Sequence, residues 1–116
     1  MKLRVRNTGK GTVLAECAEI ADTSAKRRTG LLKHSGLEQG EGLWIVPSEG
    51  VHTFAMKFPI DVLFLSRKRE VLKIRPNMRK SRIAFSLRAH SVLELPAGMI
   101  DKTSTAVGDK LDLERY

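Results

Sequence analysis

Short apolar runs separated by turn-forming residues fill the chain from Leu43 to Pro96, and they leave room for little except β-structure. LWIVP (43–47), VHTFAMK (51–57), DVLFLS (61–66), VLKIR (71–75) and SVLELP (91–96) follow one another at short intervals. Each has the length of an ordinary strand and falls short of an ordinary helix. Pro-Ser-Glu-Gly, Phe-Pro and the charged tip Arg67–Glu70 punctuate them as turns. Val62, Leu63, Phe64 and Leu65 are apolar on both faces of their strand, which suits a central strand covered on both sides.

The flanking segments extend the pattern. KLRVR (2–6) alternates, with Leu3 and Val5 on one side, and a glycine-rich turn at 7–11 leads into TVLAECAEI. A hairpin is the simplest reading of that pair. Asp22 or Thr23 can cap a short helix through Ala25–Lys33, whose interior Gly30 weakens. RIAFSLRA (82–89) reads as the entry to the strand at 91–96, AGMIDKTS as one or two helical turns, and KLDLER as a last strand. The expected fold is mainly β: a compact antiparallel β-sandwich or partly closed barrel with one or two short helices. At 116 residues, with 41% hydrophobic and 29% charged side chains, the chain suits a single domain over 1–116 rather than a disordered segment or a multidomain enzyme.

Charge is distributed unevenly. Residues 67–88 hold nine basic side chains and one acid, Glu70, so this stretch alone carries the +8 of the whole chain. Such a segment attracts phosphate, an acidic protein or an anionic surface. Lys57, Arg75, Arg79, Lys80 and Arg82 are the candidate ligand-binding residues, with Asn77–Arg82 as the loop that presents them. The partners expected are an anionic small molecule, an acidic protein or a nucleic-acid backbone. Aromatic residues make up 5% of the chain, and Trp44, Phe54, Phe58, Phe64 and Phe85 occupy strand-like positions read as core. Sequence-specific reading of bases is therefore disfavoured. A single cysteine, Cys17, excludes an internal disulfide and reads as a small buried side chain. The amino terminus lacks a secretory h-region and no run approaches the length of a membrane span, so a cytoplasmic protein is the expectation.

Several strings together resemble the DUF192 family of small domains of unknown function: TGLLKHSGL (29–37), EGLWIVPSEGVHTFAMKFPIDVLFL (41–65), VLKIRP (71–76), VLELPAG (92–98) and VGDKL (107–111). They occur in the family's order across most of the chain. The resemblance implies a small, mostly β domain and supplies no reaction. Lys33 and His34 stand where the family often carries Arg, which exchanges a guanidinium fork for an ammonium or an imidazole. Ala55 stands where it often carries an aromatic.

For chemistry, His52, Asp61 and Glu94 are the candidate catalytic residues. Along an extended 51–57, His52 shares a face with Phe54 and Met56, opposite Val51, Thr53, Ala55 and Lys57. Its default role is structural, tied to a backbone carbonyl, with a general base, a metal ligand or a plain surface position as the alternatives. Asp61 reads as an acceptor for turn N–H groups at the entry to its strand. Glu94, inside Leu-Glu-Leu, must be paired if buried, with Arg75 or Lys57 as partner, or else have its pKa raised. The spacing of the three matches no metal motif, and no GxSxG elbow, Walker loop or GxGxxG is present, so no cofactor is assigned. A binding module for an anionic ligand or partner is the leading expectation. A small enzyme using His52 or Glu94 in acid–base chemistry and non-specific nucleic-acid binding are the alternatives.

Overall fold

The computed structural model describes residues 1–116. Its strands are β1 (Leu3–Asn7), β2 (Thr12–Ala21), β3 (Glu41–Ile45), β4 (Gly50–His52), β5 (Ile60–Leu65), β6 (Val71–Met78), β7 (Ile83–Phe85), β8 (Ser91–Pro96) and β9 (Leu111–Arg115). Two short helices, α1 (Ser24–Thr29) and α2 (Met99–Lys102), complete it. Seven strands form one sheet in the order β6-β5-β8-β3-β2-β1-β9, while β4 and β7 pair as a separate ribbon. The large sheet curls until its edges meet. Val71 N–H donates to the Asp109 carbonyl at 2.8 Å, and Leu111 N–H donates to that of Arg69 at 2.9 Å. The result is the mainly β, partly closed barrel expected from the sequence.

One pairing departs from that expectation. β2 and β3 run parallel, with Cys17 opposite Glu41 and Ala21 opposite Ile45. A parallel neighbour requires a crossover, and residues 22–40 supply it with α1. The Thr23 hydroxyl caps α1 by accepting from Lys26 N–H, and Gly30 ends it at φ 49°, a left-handed conformation in which an L side chain is strained. The helix therefore stops at Thr29, four residues before the expected Lys33.

Period-two alternation splits the apolar side chains into two layers. Leu3, Val5, Leu14, Trp44, Leu63, Leu65, Val71, Leu93, Leu95 and Leu111 come from all seven strands and fill the concave side, with Met99 and Ile100 of α2 plugging it. Leu43, Ile45, Ile60, Val62, Phe64, Met78 and Val92 lie on the outer face of the central strands. Leu31 from the crossover, Met56, and Ala84 of the ribbon cover them. All six residues of β5 are buried in consequence. Gly42 lies where β3 is closely approached: a Cβ there would sit 3.1 Å from the Glu94 carbonyl and 3.0 Å from Leu95 Cδ2.

The segment 51–57 is not one strand. β4 stops at His52, and Met56 N–H donates to the Thr53 carbonyl at 3.1 Å, closing a turn in which Ala55 sits at φ 65°. Met56 consequently turns into the outer core, while His52 and Phe54 remain exposed, so the three do not share a face. Nor does 82–89 continue into β8: β7 folds back onto β4, and a turn at Leu87–Arg88, closed by Ala89 N–H donating to the Ser86 carbonyl at 3.0 Å, precedes β8.

Candidate functional site

The two covers of the outer face do not meet. Between α1 with its following turn and the β4 edge lies an open pocket of about 420 Å3. Ser24, Arg27, Arg28 and residues 29–32 form one wall, and Pro47, Ser48 and Gly50–His52 form the other. Ile45, Met56 and Glu94 come from beneath. Arg27 ties the helix to the barrel by donating from Nη1 to the Val46 carbonyl at 3.3 Å.

Glu94 defines the chemistry of this pocket. Strand register places it directly between Leu43 of β3 and Val62 of β5, all three on the outer face. Its neighbours across the sheet are therefore apolar, and it is 5% exposed. Its carboxyl group has no ion pair, and the four that form elsewhere use Lys2, Arg4 and Lys10. Burial pushes its pKa up from an ordinary 4.5 to about 7. The partner expected in Arg75 or Lys57 is absent: neither side chain reaches the pocket.

His52 lies in the same pocket lining, on its exposed rim. Its ring stacks on Phe54 at 5.3 Å between centroids. The backbone carbonyl expected to hold it is not there, because the early end of β4 leaves the imidazole outside the core. Asp61 is elsewhere. Its side chain is fully buried on the concave face and accepts from Asn77 N–H and Ile100 N–H, each at 2.8 Å. It fixes α2 and the end of β6 to β5; its donors are backbone N–H groups, but on these remote elements and not on the turn that precedes β5. His52 and Glu94 thus share a pocket while Asp61 does not, and no three His, Cys, Asp or Glu side chains cluster as a metal site would need.

The basic segment has a separate geography. Lys57, Arg79 and Lys80 line a shallow groove of about 470 Å3 with Met56, Phe58, Pro59 and Asn77; Arg75 and Arg82 lie outside it. The 79–82 loop is pinned by the buried Thr53: its hydroxyl donates to the Arg79 carbonyl and accepts from Arg82 N–H. Lys73 instead spans from the barrel to the ribbon, donating to the Phe85 carbonyl at 2.9 Å. None of the nine cations between 67 and 88 is in an ion pair. The cations that line the pocket with Glu94 are Arg27 and Arg28, which sequence reasoning passed over. Their signal was the Lys-Arg-Arg run on a capped helix, and nothing in the sequence says where that helix lies.

Relatives of the chain share its architecture. A Thermococcus sibiricus UPF0127 protein is 33% identical over 113 residues, covering 93% of this chain and 73% of that protein. Another, from Thermococcus gammatolerans, is 31% identical over 108 residues, covering 89% and 70%. Two solved structures superpose closely. A protein of unknown function from Novosphingobium aromaticivorans gives a TM-score of 0.82 at 24% identity, covering 97% of this chain and 84% of that one. A protein from Sinorhizobium meliloti, described as a proposed transcription regulator, gives 0.83 at 21% identity, covering 97% and 92%. At such identities these two bear on the fold alone. The family model for DUF192, described as uncharacterized ACR, matches residues 5–113, and the chain belongs to that family.

Proposed function

We propose that the pocket above Glu94 binds a small anionic ligand. The observation that carries this reading is a carboxyl group nine-tenths buried at an open pocket, without an ion pair, facing a wall that carries two guanidinium groups. An isolated buried carboxylate is costly, and a protonated one is a hydrogen-bond donor. With its pKa near 7, Glu94 can hold its proton and donate it to an anionic oxygen. Arg28 supplies the charge, and Ser24, Ser48 and the His52 imidazole supply further polar contacts along the rim. Leu31, Leu32, Ile45 and Met56 leave space for a short apolar body.

Titration with inorganic phosphate, acetate, malate and ribose 5-phosphate, followed by NMR shifts of pocket residues, tests the proposal. At about pH 6 at least one of these anions should bind, and Arg28→Gln should weaken it roughly tenfold, the scale of one charge-assisted hydrogen bond. Ionisation of Glu94 repels the anion, so affinity should fall as pH rises through 7; Glu94→Gln should retain binding and lose that dependence. If none of the four anions perturbs the pocket, the reading fails.

The same carboxyl supports a second reading, in which the pocket transfers a proton to or from its ligand. Chemical conversion of a bound ligand by the wild type and not by Glu94→Gln would favour it.

A further inference from the structure

The ribbon that forms one wall of the pocket has a second face. Val51 and Ala84 of β4 and β7 pack inward against the barrel, so their neighbours in each strand face outward. Ile83 stands opposite His52, and Phe85 opposite Gly50, on that outer face. Ile83 is 61% exposed, Phe85 59%, Phe54 47%, and Leu87 in the following turn 78%. These are four of the large apolar side chains a folded domain ordinarily hides or uses. Phe54 and Phe85 are core residues by sequence pattern; the turn after His52 and the pairing of β7 with β4 leave them exposed.

Cations flank these apolar side chains along the chain. The Lys73 ammonium lies 5.8 Å from the Phe85 ring centroid. Arg82 immediately precedes Ile83, Arg88 immediately follows Leu87, and the 79–82 loop is clamped to the ribbon through Thr53. None is neutralised by an acid of the protein. A nucleic-acid backbone would engage the cations and leave Ile83 and Leu87 unused. A neutral apolar partner would leave the cations desolvated and unpaired. An anionic bilayer surface matches both, since headgroup phosphates lie just above an apolar boundary.

We infer that the outer face of the β4–β7 ribbon docks on an anionic membrane surface, with Ile83, Phe85 and Leu87 entering the headgroup–acyl boundary and Arg82 and Arg88 on lipid phosphates. The contact inferred is a peripheral one; no helix is long and apolar enough to span a membrane. It does not depend on what the pocket binds.

Sedimentation with phosphatidylcholine vesicles, with and without phosphatidylglycerol, tests this. The protein should partition onto vesicles containing phosphatidylglycerol and not onto phosphatidylcholine alone. Leu87→Ser and Phe85→Ser should each reduce partitioning about tenfold, the equivalent of one large apolar side chain left unburied. Arg82→Gln should reduce it about fivefold. Unchanged thermal melts of these exposed-site variants show that folding is intact. The inference is overturned if the protein ignores phosphatidylglycerol, or if it binds and Leu87→Ser and Phe85→Ser make no difference. It is equally overturned if an oligouridylate displaces the protein from vesicles with affinity unaffected by Leu87→Ser, which assigns the face to nucleic acid. Self-association abolished by Phe85→Ser, with no vesicle binding, assigns it to a second copy of the chain.

Discussion

Replacing Glu94 by Gln should make the protein more stable at alkaline pH and leave it unchanged in acid. Between Leu43 and Val62 the carboxyl loses hydration and gains no partner, so the folded state holds its proton up to about pH 7, whereas an exposed carboxyl releases it near 4.5. Over that window the folded chain binds a proton that the unfolded chain does not, and stability must therefore fall as pH rises. At about 1.4 kcal/mol per pH unit, the full loss is about 3 kcal/mol, complete above roughly pH 8. Water entering the open pocket makes this an upper bound. Gln has the shape of the protonated acid and cannot ionise, so the variant should match wild type near pH 4 and exceed it by up to about 3 kcal/mol at pH 8. For a chain of this size that is a rise in Tm of about 10 °C. Urea unfolding followed by the fluorescence of Trp44, at several pH values for both proteins, measures it. Parallel stability profiles, or a variant weaker than wild type at pH 8, would refute the account of Glu94 as a buried, unpaired acid.

Asp61→Ala removes the acceptor for the buried Ile100 N–H and the partly buried Asn77 N–H, and should cost about 3 kcal/mol; equilibrium unfolding reads the loss, and a change below about 1 kcal/mol would contradict the assigned role. Asp109 titrates in the opposite sense to Glu94. Hydrogen bonds from Asn7, Lys10 and the Ala106 N–H, with the Lys10 charge adding to them, hold its pKa down at about 2 against an ordinary 3.8. The stability it contributes is present above 3.8 and is lost as pH falls through 2. Asp109→Asn should therefore lower stability at neutral pH and flatten the acid limb of the unfolding curve, while an acid limb identical to wild type would sink the assignment.

How much of this was legible depends on which forces acted locally. The strands of the barrel were, because alternation in Leu3–Val5 and the continuous apolar run Val62–Leu65 are consequences of one-sided and two-sided burial. Glu94 was legible as an anomaly, since a carboxylate between two leucines of a strand must resolve its burial somehow. Its lack of a partner was not, because strand register sets Val62 between Arg75 and Glu94, and Lys57 falls in the segment after β4, outside the pocket. The hardest part was the ribbon. Nothing in VHTFAMK distinguishes a strand from a three-residue strand followed by a turn. The choice is made by Thr53, whose hydroxyl and backbone hold residues 79–82, a contact between segments that are remote in sequence. The outward faces of Phe54 and Phe85 follow from that contact and could not be read without it. The position of Arg27 and Arg28 was hidden for a similar reason: a parallel β2–β3 pair fixes where the crossover helix lies, and strand direction leaves no mark in composition.

The same topology sets which parts of the site can move. β5 and β8 are hydrogen-bonded on both sides and buried on both faces, whereas β4 and β7 have three residues each and pair with one another alone. A two-stranded ribbon is marginal by itself, and this one rests on the barrel through Val51 and Ala84, the Thr53 clamp and the Lys73 bond to the Phe85 carbonyl. Local opening should therefore detach the ribbon well before the barrel unfolds. Native-state hydrogen exchange should show the ribbon amides of Val51 and Ala84 exchanging through small openings, while those of Leu63 and Leu93 exchange only with global unfolding. Equal protection in ribbon and barrel would show that the ribbon is an integral part of the cooperative unit. If the ribbon does open alone, the proposed anion in the Glu94 pocket would hold one of its edges and the proposed bilayer contact its outer face. Each would then slow exchange at Val51 without slowing it at Leu63, so the barrel serves as its own internal control.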